Sequence, residues 1–317
     1  MEVGAGDAAS LDAVAGEAAA GALRHGDVSG QPVSFGCADG RVLHGHEFVV
    51  PSGVGQRGTV VIGSATGVLA NYYHRYAAFL AAHGFAAVTF DYRGIGQSRG
   101  GSLRGQNQRW FEWGSADIDA VLAWALERSQ GLPVNFVGHS FGGVGVGLAA
   151  SASKLSRILT VGGQHAYWRD FSFRYKIDHA VRCLVTVPLV AVVGYFPAKR
   201  LGVMEDLPRG VALDWARSHK DFIAAAPAGS ERDALRANQL AVTAPILAVA
   251  PHDDHYATMA AMERAVAYTP NSAARIIHLR PEDYGESAMG HFALFHSRYR
   301  HTFWEQSLGW LRDGSWA

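Results

Sequence analysis

The sequence predicts an α/β fold in which a mostly parallel central sheet is covered by helices on both faces and carries an inserted helical lid. Short, continuously apolar, β-branched segments alternate with helical segments, a pattern typical of parallel strands buried on both faces. Residues 163–240 break this alternation. They are rich in aromatic residues, contain four prolines and separate two strands of the main pattern, which is typical of an insertion.

The order of the segments defines the predicted elements. The strands are expected at Val33–Phe35, Arg41–Val50, Thr59–Ile62, Ala86–Phe90, Val134–Val137, Arg157–Val161, Ile246–Ala250 and Ala274–Leu279. Apolar residues recurring about every 3.6 positions predict helices at Asn71–His83, Ser115–Arg128, Gly142–Ala152 and Thr258–Tyr268, and a last helix that opens at His291 and ends at Trp310. The chain then divides into a tail at 1–30, a core at 31–162 and 241–317, and a lid at 163–240.

Composition excludes several classes of protein. The 317 residues include 28 Lys and Arg against 28 Asp and Glu, so no excess positive charge is available for binding nucleic acid. The longest apolar run, Cys183–Phe196, contains Pro188 and is shorter than the ~20 residues that span a bilayer. Cys37 and Cys183 have neither disulfide-framework nor metal-site spacing, which favours a reducing compartment. We expect a cytoplasmic protein that acts on a small molecule and has no integral membrane segment.

The first thirty residues are rich in Ala and Gly, with acidic residues among them. No basic segment precedes an apolar one, so the stretch lacks the pattern of an export signal. We expect a flexible or weakly helical tail. The helical spacing of Leu11, Val14 and Ala18 supports the alternative of an oligomerisation arm, and with it a homodimer.

The strongest local pattern is Gly-His-Ser-Phe-Gly at 138–142, directly after a predicted strand and before a predicted helix. In that context Gly-x-Ser-x-Gly forms a nucleophile elbow, a tight turn that needs small residues on both sides of the serine. We expect Ser140 to be a nucleophile and the backbone N–H of Phe141 to donate to an oxyanion. His139, at the variable position, is expected to serve packing. The alternative interpretation is a glycine-rich turn that only allows close helix–strand packing.

A serine hydroxyl needs a base, and the base needs an acid to orient it. On this architecture the chain order is Ser, then Asp or Glu, then His. His291 lies after the last predicted strand, beside a glycine, and is the expected base. The string His-Asp-Asp-His at 252–255 follows a buried strand at its carboxyl end, where catalytic groups collect, and offers the acid. A metal site there is disfavoured because adjacent residues seldom point at one ion.

These motifs resemble those of the α/β-hydrolase superfamily over about residues 33–313. The segment DYRGIGQS at 91–98 is similar to the D-x-R-G-x-G-x-S loop that follows the second parallel strand in many of these enzymes. A narrower resemblance is to a bacterial group of predicted serine hydrolases, in which an Ala-x-Gly-Val loop and a terminal Gly-His-Phe segment accompany that loop. The resemblance implies the α/β-hydrolase fold, a serine-dependent triad and no cofactor.

Alignment on the superfamily's G-x-x-D-x-x-x-P pattern puts Asp254 at the position of the triad acid. Thr258 stands where proline is common, so a shift of the alignment to Asp253 is an alternative. Asp170 is a further alternative, because some relatives place the acid after the preceding strand.

The second oxyanion donor in the superfamily follows a His-Gly pair in the loop after the first parallel strand. This chain has Gly-Ser-Ala-Thr-Gly at 63–67, which departs from that pattern. The resemblance puts Thr66 at the donor position, with Ala65 as the alternative.

The resulting hypothesis is a serine hydrolase that cleaves an ester or thioester through an acyl-enzyme. Trp168 and Tyr195 in the inserted segment are expected to line an apolar pocket, so that hydrophobic or aromatic substrates are preferred; ordinary core packing is the alternative. An acyltransferase, or a biosynthetic cyclase or lyase, could use the same triad. A binding protein is disfavoured because all three triad residue types are present in the required order.

Overall fold

The computed structural model describes residues 28–316, without the side chains at positions 174, 178 and 182. The predicted tail at 1–30 lies outside the described residues except for 28–30. The strands are β1 (Gln31–Gly36), β2 (Val42–Phe48), β3 (Gly58–Gly63), β4 (Phe85–Phe90), β5 (Val134–His139), β6 (Ile158–Val161), β7 (Tyr195–Phe196), β8 (Leu207–Pro208), β9 (Ile246–Pro251) and β10 (Ala274–Leu279). The helices are α1 (His74–Ala82), α2 (Asp119–Arg128), α3 (Phe141–Gly145), α4 (Phe173–Val193), α5 (Arg209–Ala216), α6 (Ser230–Ala241), α7 (Met259–Val266) and α8 (Phe303–Asp313).

The predicted mostly parallel sheet is confirmed. Eight strands form one sheet in the spatial order β1-β2-β4-β3-β5-β6-β9-β10, and the six from β4 to β10 run parallel. Only β1 and β2, at one edge, are antiparallel to their neighbours. Each of the eight strands predicted from the sequence coincides with one of these strands, and the signal is strongest for the fully buried runs β3, β4, β5, β6 and β9.

The sheet has a hydrophobic core on each face, as the apolar pattern of its strands requires. On one face α2 buries Val121, Leu122 and Ala125 against the sheet. On the other face α1 and α8 pack their aromatic side chains together, with the Tyr76 and Trp304 rings 5.5 Å apart. Helices therefore cover both faces and leave the carboxyl edge of the parallel strands open to loops.

Two helix predictions were wrong in extent. The helix expected at Gly142–Ala152 is only α3, and tight turns replace it from Val146 onward. Four glycines between positions 142 and 147 lower the helical propensity. The lack of a side chain at Gly142 also lets the backbone of α3 approach the end of β3 closely, because a Cβ on Gly142 would lie 2.3 Å from the carbonyl oxygen of Gly63.

The last helix begins at Phe303 rather than at His291, and short turns fill the intervening segment. The indole N–H of Trp304 donates to the carbonyl of Leu294 at 2.9 Å, taking an acceptor that a continuous helix would use. Phe295 is buried among aromatic rings, 4.9 Å from Tyr73 and 5.4 Å from Tyr76. Tertiary packing therefore overrides the helical spacing of this segment, and His291 lies in a loop.

Residues 163–240 leave the sheet after β6 and return before β9, and these two strands are neighbours. The segment contains α4, α5 and α6 and the small β7–β8 hairpin. It contacts the loops at the carboxyl edge: the N–H of Glu205 donates to the carbonyl of Gly67 at 3.0 Å, and the Phe222 ring lies 6.0 Å from Phe141. Among the described helices, none is long and apolar enough to cross a membrane.

Candidate active site

Ser140 lies between the end of β5 and the start of α3, in a backbone conformation that side chains seldom adopt. Its φ is 53°, in the left-handed region. A Cβ on Gly138 would lie 2.5 Å from the carbonyl carbon of Gly142, so only glycine fits at these two positions. The N–H of Ser140 donates to the carbonyl of Val161 at 2.9 Å, which anchors the turn to the neighbouring strand. This is the strained geometry that a nucleophile elbow needs.

Asp254, in the loop after β9, contacts the His291 ring. Asp254 Oδ2 is 2.6 Å from His291 Nδ1, and Oδ1 accepts from the N–H groups of Tyr256 at 2.9 Å and Ala257 at 3.0 Å. Burial acts to raise the pKa of Asp254, but the His291 ring and these backbone donors hold that pKa below its ordinary value. An ionised Asp254 accepts from His291 Nδ1–H, which leaves the Nε2 lone pair of the ring able to accept a proton.

Asp253, the alternative acid, points to a different part of the same loop system. Its carboxylate accepts from the N–H groups of Met289 at 2.8 Å and Gly290 at 3.1 Å. It therefore holds the backbone that leads into His291 without touching the ring. Within residues 28–316 no group of three or more His, Cys, Asp or Glu side chains is placed to hold a metal ion.

Asp170, the remaining alternative, is bound elsewhere. Its Oδ1 accepts from Arg264 Nη2 at 3.0 Å, and the two residues form an ion pair between the inserted segment and α7. The backbone carbonyl of Asp170 accepts from the hydroxyl of Thr258, which also caps α7. Asp170 thus ties the inserted segment to the core.

Gly162 makes room for the histidine, a role that sequence reasoning missed. It follows β6 with φ 59°, and its N–H donates to the carbonyl of Val249 at 2.7 Å. A Cβ at Gly162 would lie 2.9 Å from His291 Cε1 and 3.2 Å from Asp254 Oδ2. The signal that could have found it is the Gly-Gly pair at 162–163, directly after an apolar strand.

The hydroxyl of Ser140 has a partner that the sequence did not indicate. Ser140 Oγ accepts from Gln164 Nε2 at 3.3 Å, and both side chains are buried. The Gln164 side-chain oxygen accepts in turn from the N–H of Ala166. No hydrogen bond joins Ser140 Oγ to His291 in the described part of the chain. Because Ser140 accepts from Gln164, its own hydroxyl proton stays available to another acceptor.

In the loop after β3, the backbone N–H groups of the two candidate oxyanion donors differ in whether they are already hydrogen-bonded. Ala65 N–H donates to the hydroxyl of Tyr73 at 3.0 Å, whereas the N–H of Thr66 donates to no protein group among residues 28–316. The Thr66 side chain accepts from Trp110 Nε1 at 3.1 Å, which holds the loop. Phe141 N–H, at the start of α3, is likewise unbonded within that range. Of the two loop candidates, Thr66 therefore has the free donor.

The two predicted substrate-binding aromatics, Trp168 and Tyr195, both lie in the inserted segment. Trp168 is 42% exposed and lines a cavity of about 430 Å³ with Arg217 and His219. Tyr195 is half-buried in β7 and pairs with Pro208. Within the described residues, neither side chain forms a hydrogen bond or ring contact with the candidate catalytic residues.

A different aromatic group borders His291. The Tyr256 ring lies 5.3 Å from the His291 ring, and the rings of Phe171 and Tyr175 lie 5.5 Å and 5.1 Å from Tyr256. Phe171 and Tyr175 belong to the aromatic-rich start of the inserted segment. Sequence reasoning missed Tyr256, although it follows the His-Asp-Asp-His string directly.

The fold is similar to that of solved hydrolases. The family model described as serine aminopeptidase, S33, matches residues 55–160, from the loop before β3 into β6. A soluble variant of monoglyceride lipase from Saccharomyces cerevisiae, in complex with a substrate analogue, superimposes with a TM-score of 0.64 at 14% identity, over 94% of this chain and 99% of that one. A hypothetical protein from Pseudomonas aeruginosa superimposes with a TM-score of 0.61 at 15% identity, over 93% and 96%.

An α/β hydrolase from Penicillium sp. sh18 is also similar, with a TM-score of 0.57 at 14% identity over 90% of this chain and 98% of that one. No curated protein matches the sequence. The chain has the α/β-hydrolase fold.

Proposed function

We propose that this protein is a serine hydrolase that cleaves an ester or thioester through an acyl-enzyme, with Ser140, His291 and Asp254 as its triad. The observation that carries the proposal is the 2.6 Å contact between Asp254 and His291, at the same sheet edge as the strained Ser140. Fold alone does not define an activity in this superfamily, so the argument rests on this constellation.

In the proposed reaction, Ser140 Oγ attacks the substrate carbonyl carbon while His291 Nε2 takes the hydroxyl proton. The carbonyl oxygen becomes an oxyanion and accepts from the free N–H groups of Phe141 and Thr66. When the tetrahedral intermediate collapses, His291 returns the proton to the leaving alcohol or thiol, and an acyl-Ser140 ester remains. Water then repeats the sequence with His291 as base. Asp254 stays ionised throughout and stabilises the imidazolium.

Aromatic side chains near the candidate triad support a proposal about the substrate class. The rings of Tyr256, Phe171 and Tyr175 extend from His291 into the inserted segment, and Phe222 packs against the side chain of Phe141. Apolar and aromatic surroundings favour an apolar substrate. We therefore propose a hydrophobic or aromatic substrate, with Trp168 and Tyr195 farther along its path of entry.

Labelling by a fluorophosphonate tests the nucleophile. We expect the wild-type protein to be labelled and Ser140→Ala to resist labelling and to lose at least ~10³-fold in kcat on p-nitrophenyl esters, because the atom that forms the acyl bond is gone. Ser129→Ala is the matched control, since Ser129 has the same 7% exposure but lies at the end of α2. Comparable labelling of Ser140→Ala and Ser129→Ala would overturn the proposal.

A second experiment, on the partition of the acyl-enzyme, separates hydrolysis from acyl transfer. Ser140 is only 7% exposed, so water reaches an acyl group there less freely than at an open site. Turnover of a p-nitrophenyl ester in the presence of a graded series of alcohols measures the partition of the acyl-enzyme. Release of free acid as the main product supports the hydrolase, whereas release of the new ester would favour an acyltransferase.

A further inference from the structure

Three hydrogen bonds in series connect the loop after β3 with the loop that carries His291. Ala65 N–H is 3.0 Å from the hydroxyl oxygen of Tyr73, and that oxygen is 2.7 Å from His139 Nδ1. His139 Nε2 is 3.0 Å from the backbone carbonyl oxygen of His291. Tyr73 and His139 are fully buried. The series therefore passes beneath the nucleophile elbow, shielded from water.

The chemistry of the groups sets the direction of every hydrogen bond. The carbonyl of His291 can only accept, so His139 Nε2 carries the hydrogen. Burial first, and then the nearby His291 ring, lower the pKa of His139 to about 3, so its ring stays neutral and Nδ1 has a free lone pair. Tyr73 donates its hydroxyl proton to that lone pair, and the Tyr73 oxygen accepts from Ala65 N–H.

We propose that Tyr73 and His139 are positioning residues that hold the oxyanion loop and the His291 loop in one arrangement around Ser140. Tyr73 takes the N–H of Ala65 and so leaves Thr66, the next residue, to supply the free donor. His139 holds the backbone of His291 itself. The inference rests on the proposed function, because the groups that it positions are the oxyanion donor and the base assigned there.

The packing around the series restricts movement of its members. The Tyr73 ring lies between Tyr72, at 5.0 Å, and Phe295, at 4.9 Å. The His139 ring lies 5.1 Å from Phe295 and 5.1 Å from the His291 ring. Burial raises the pKa of Tyr73 well above its ordinary value, so its hydroxyl keeps the proton that it donates. This packing restricts both rings, and each keeps its one donor and its one acceptor role in the series.

A second tyrosine on the same side of the sheet offers a matched control. Tyr76 is also fully buried, and its hydroxyl is 2.8 Å from Ser307 Oγ in α8. Its hydrogen bond thus joins two helices and does not lead to the candidate site. Replacing either tyrosine with Phe removes one buried, hydrogen-bonded hydroxyl, so both variants are expected to lose some stability.

The experiment compares Tyr73→Phe with Tyr76→Phe in fluorophosphonate labelling rate, kcat and KM. We expect Tyr73→Phe to lower the labelling rate and kcat by at least ~10-fold with KM nearly unchanged, because the loss falls on transition-state charge rather than on substrate binding. Tyr76→Phe is expected to lower the melting temperature by a similar amount and to leave labelling and kcat near wild type. Equal kinetics of the two variants would overturn the inference.

A pair of His139 variants tests the other half of the series. Gln can supply one donor and one acceptor, whereas Leu supplies neither. We expect His139→Gln to be labelled at least ~10-fold faster than His139→Leu, and equal rates would count against a positioning role. A wild-type protein that resists labelling would overturn the proposed function and with it this inference, whereas a labelled wild type makes each comparison decisive for the inference alone.

Discussion

At the scale of single residues, two adjacent aspartates have different roles because their backbones point them in different directions. Asp254 contacts the His291 ring and accepts from two backbone N–H groups, so its charge is fully hydrogen-bonded although it is buried. Within residues 28–316 the Asp253 carboxylate accepts from the backbone N–H groups of residues 289 and 290. The first therefore acts on the ring, and the second on the loop that carries it.

Replacing each aspartate with Asn separates these roles. We expect Asp254→Asn to reduce kcat by about 10⁴-fold, because an amide can donate to Nδ1 and so stabilise the wrong tautomer of His291. Asp253→Asn keeps one acceptor oxygen for the loop and should cost far less. Steady-state kinetics on one ester gives both values, with Asp170→Asn as a control that breaks only the pair with Arg264. A larger loss from Asp253→Asn would reassign the acid.

At the scale of elements, the inserted segment contacts the loops at the carboxyl edge of the sheet and also presents apolar side chains to solvent. Its helix α4 presents apolar side chains outward, with Phe173 80% exposed and Leu184 76% exposed. Its inner contacts reach the loop after β3 through Glu205, and the first residue of α3, Phe141, through Phe222. Because α4 buries few apolar side chains, we expect its local unfolding to cost less free energy than unfolding of the central sheet.

This arrangement predicts how the inserted segment selects substrates. Trp168→Ala should change the ranking of kcat/KM among p-nitrophenyl esters of graded chain length more than it changes the melting temperature, because a side chain 42% exposed contributes little to the core. Tyr195→Ala, at a half-buried position, should do the same with a larger fall in melting temperature. Phe136→Ala, in the core, serves as the opposite control. An unchanged substrate ranking in both variants would assign this segment to packing alone.

At the scale of the whole molecule, buried neutral histidines make stability depend on pH. Burial is the largest cause in each case: it lowers the pKa of His74 to about 4, of His139 to about 3 and of His165 to about 4. In the unfolded chain each has a pKa of about 6.5. Between these values the unfolded state binds protons that the folded state excludes, so these groups destabilise the fold as pH falls below about 6.5.

His74 is the histidine in which this effect can be isolated without disturbing the candidate site. Its ring packs 4.6 Å from His46 and 5.1 Å from Phe48, and its Nε2 is buried without a partner in the described part of the chain. We expect His74→Phe to lose less melting temperature than wild type between pH 7.5 and pH 4.5, since about one proton fewer binds on unfolding. Calorimetry at the two pH values measures this. His301→Phe, at an exposed site, should behave as wild type, and the same behaviour in His74→Phe would refute the prediction.

The sequence by itself determined the sheet and the position of the candidate nucleophile. Apolar strand runs and Gly-x-Ser-x-Gly are local patterns. They predict structure correctly because the conformation they specify depends on residues that are neighbours in the sequence. The end of α3 and the start of α8 were predicted wrongly. The four glycines between positions 142 and 147 shorten the first, and the aromatic packing around Phe295 delays the start of the second.

Only the tertiary structure decided which side chains meet. From the sequence, Asp253, Asp254 and Asp170 were all candidates for the acid that orients His291. Of these three, the loop geometry brings Asp254 to the His291 ring. The contact of Gln164 with Ser140 and the path from Tyr73 to His139 had no local signal either. These partners are between 24 and 66 positions apart along the chain. Their contacts exist because parallel strands deliver distant loops to one edge of the sheet.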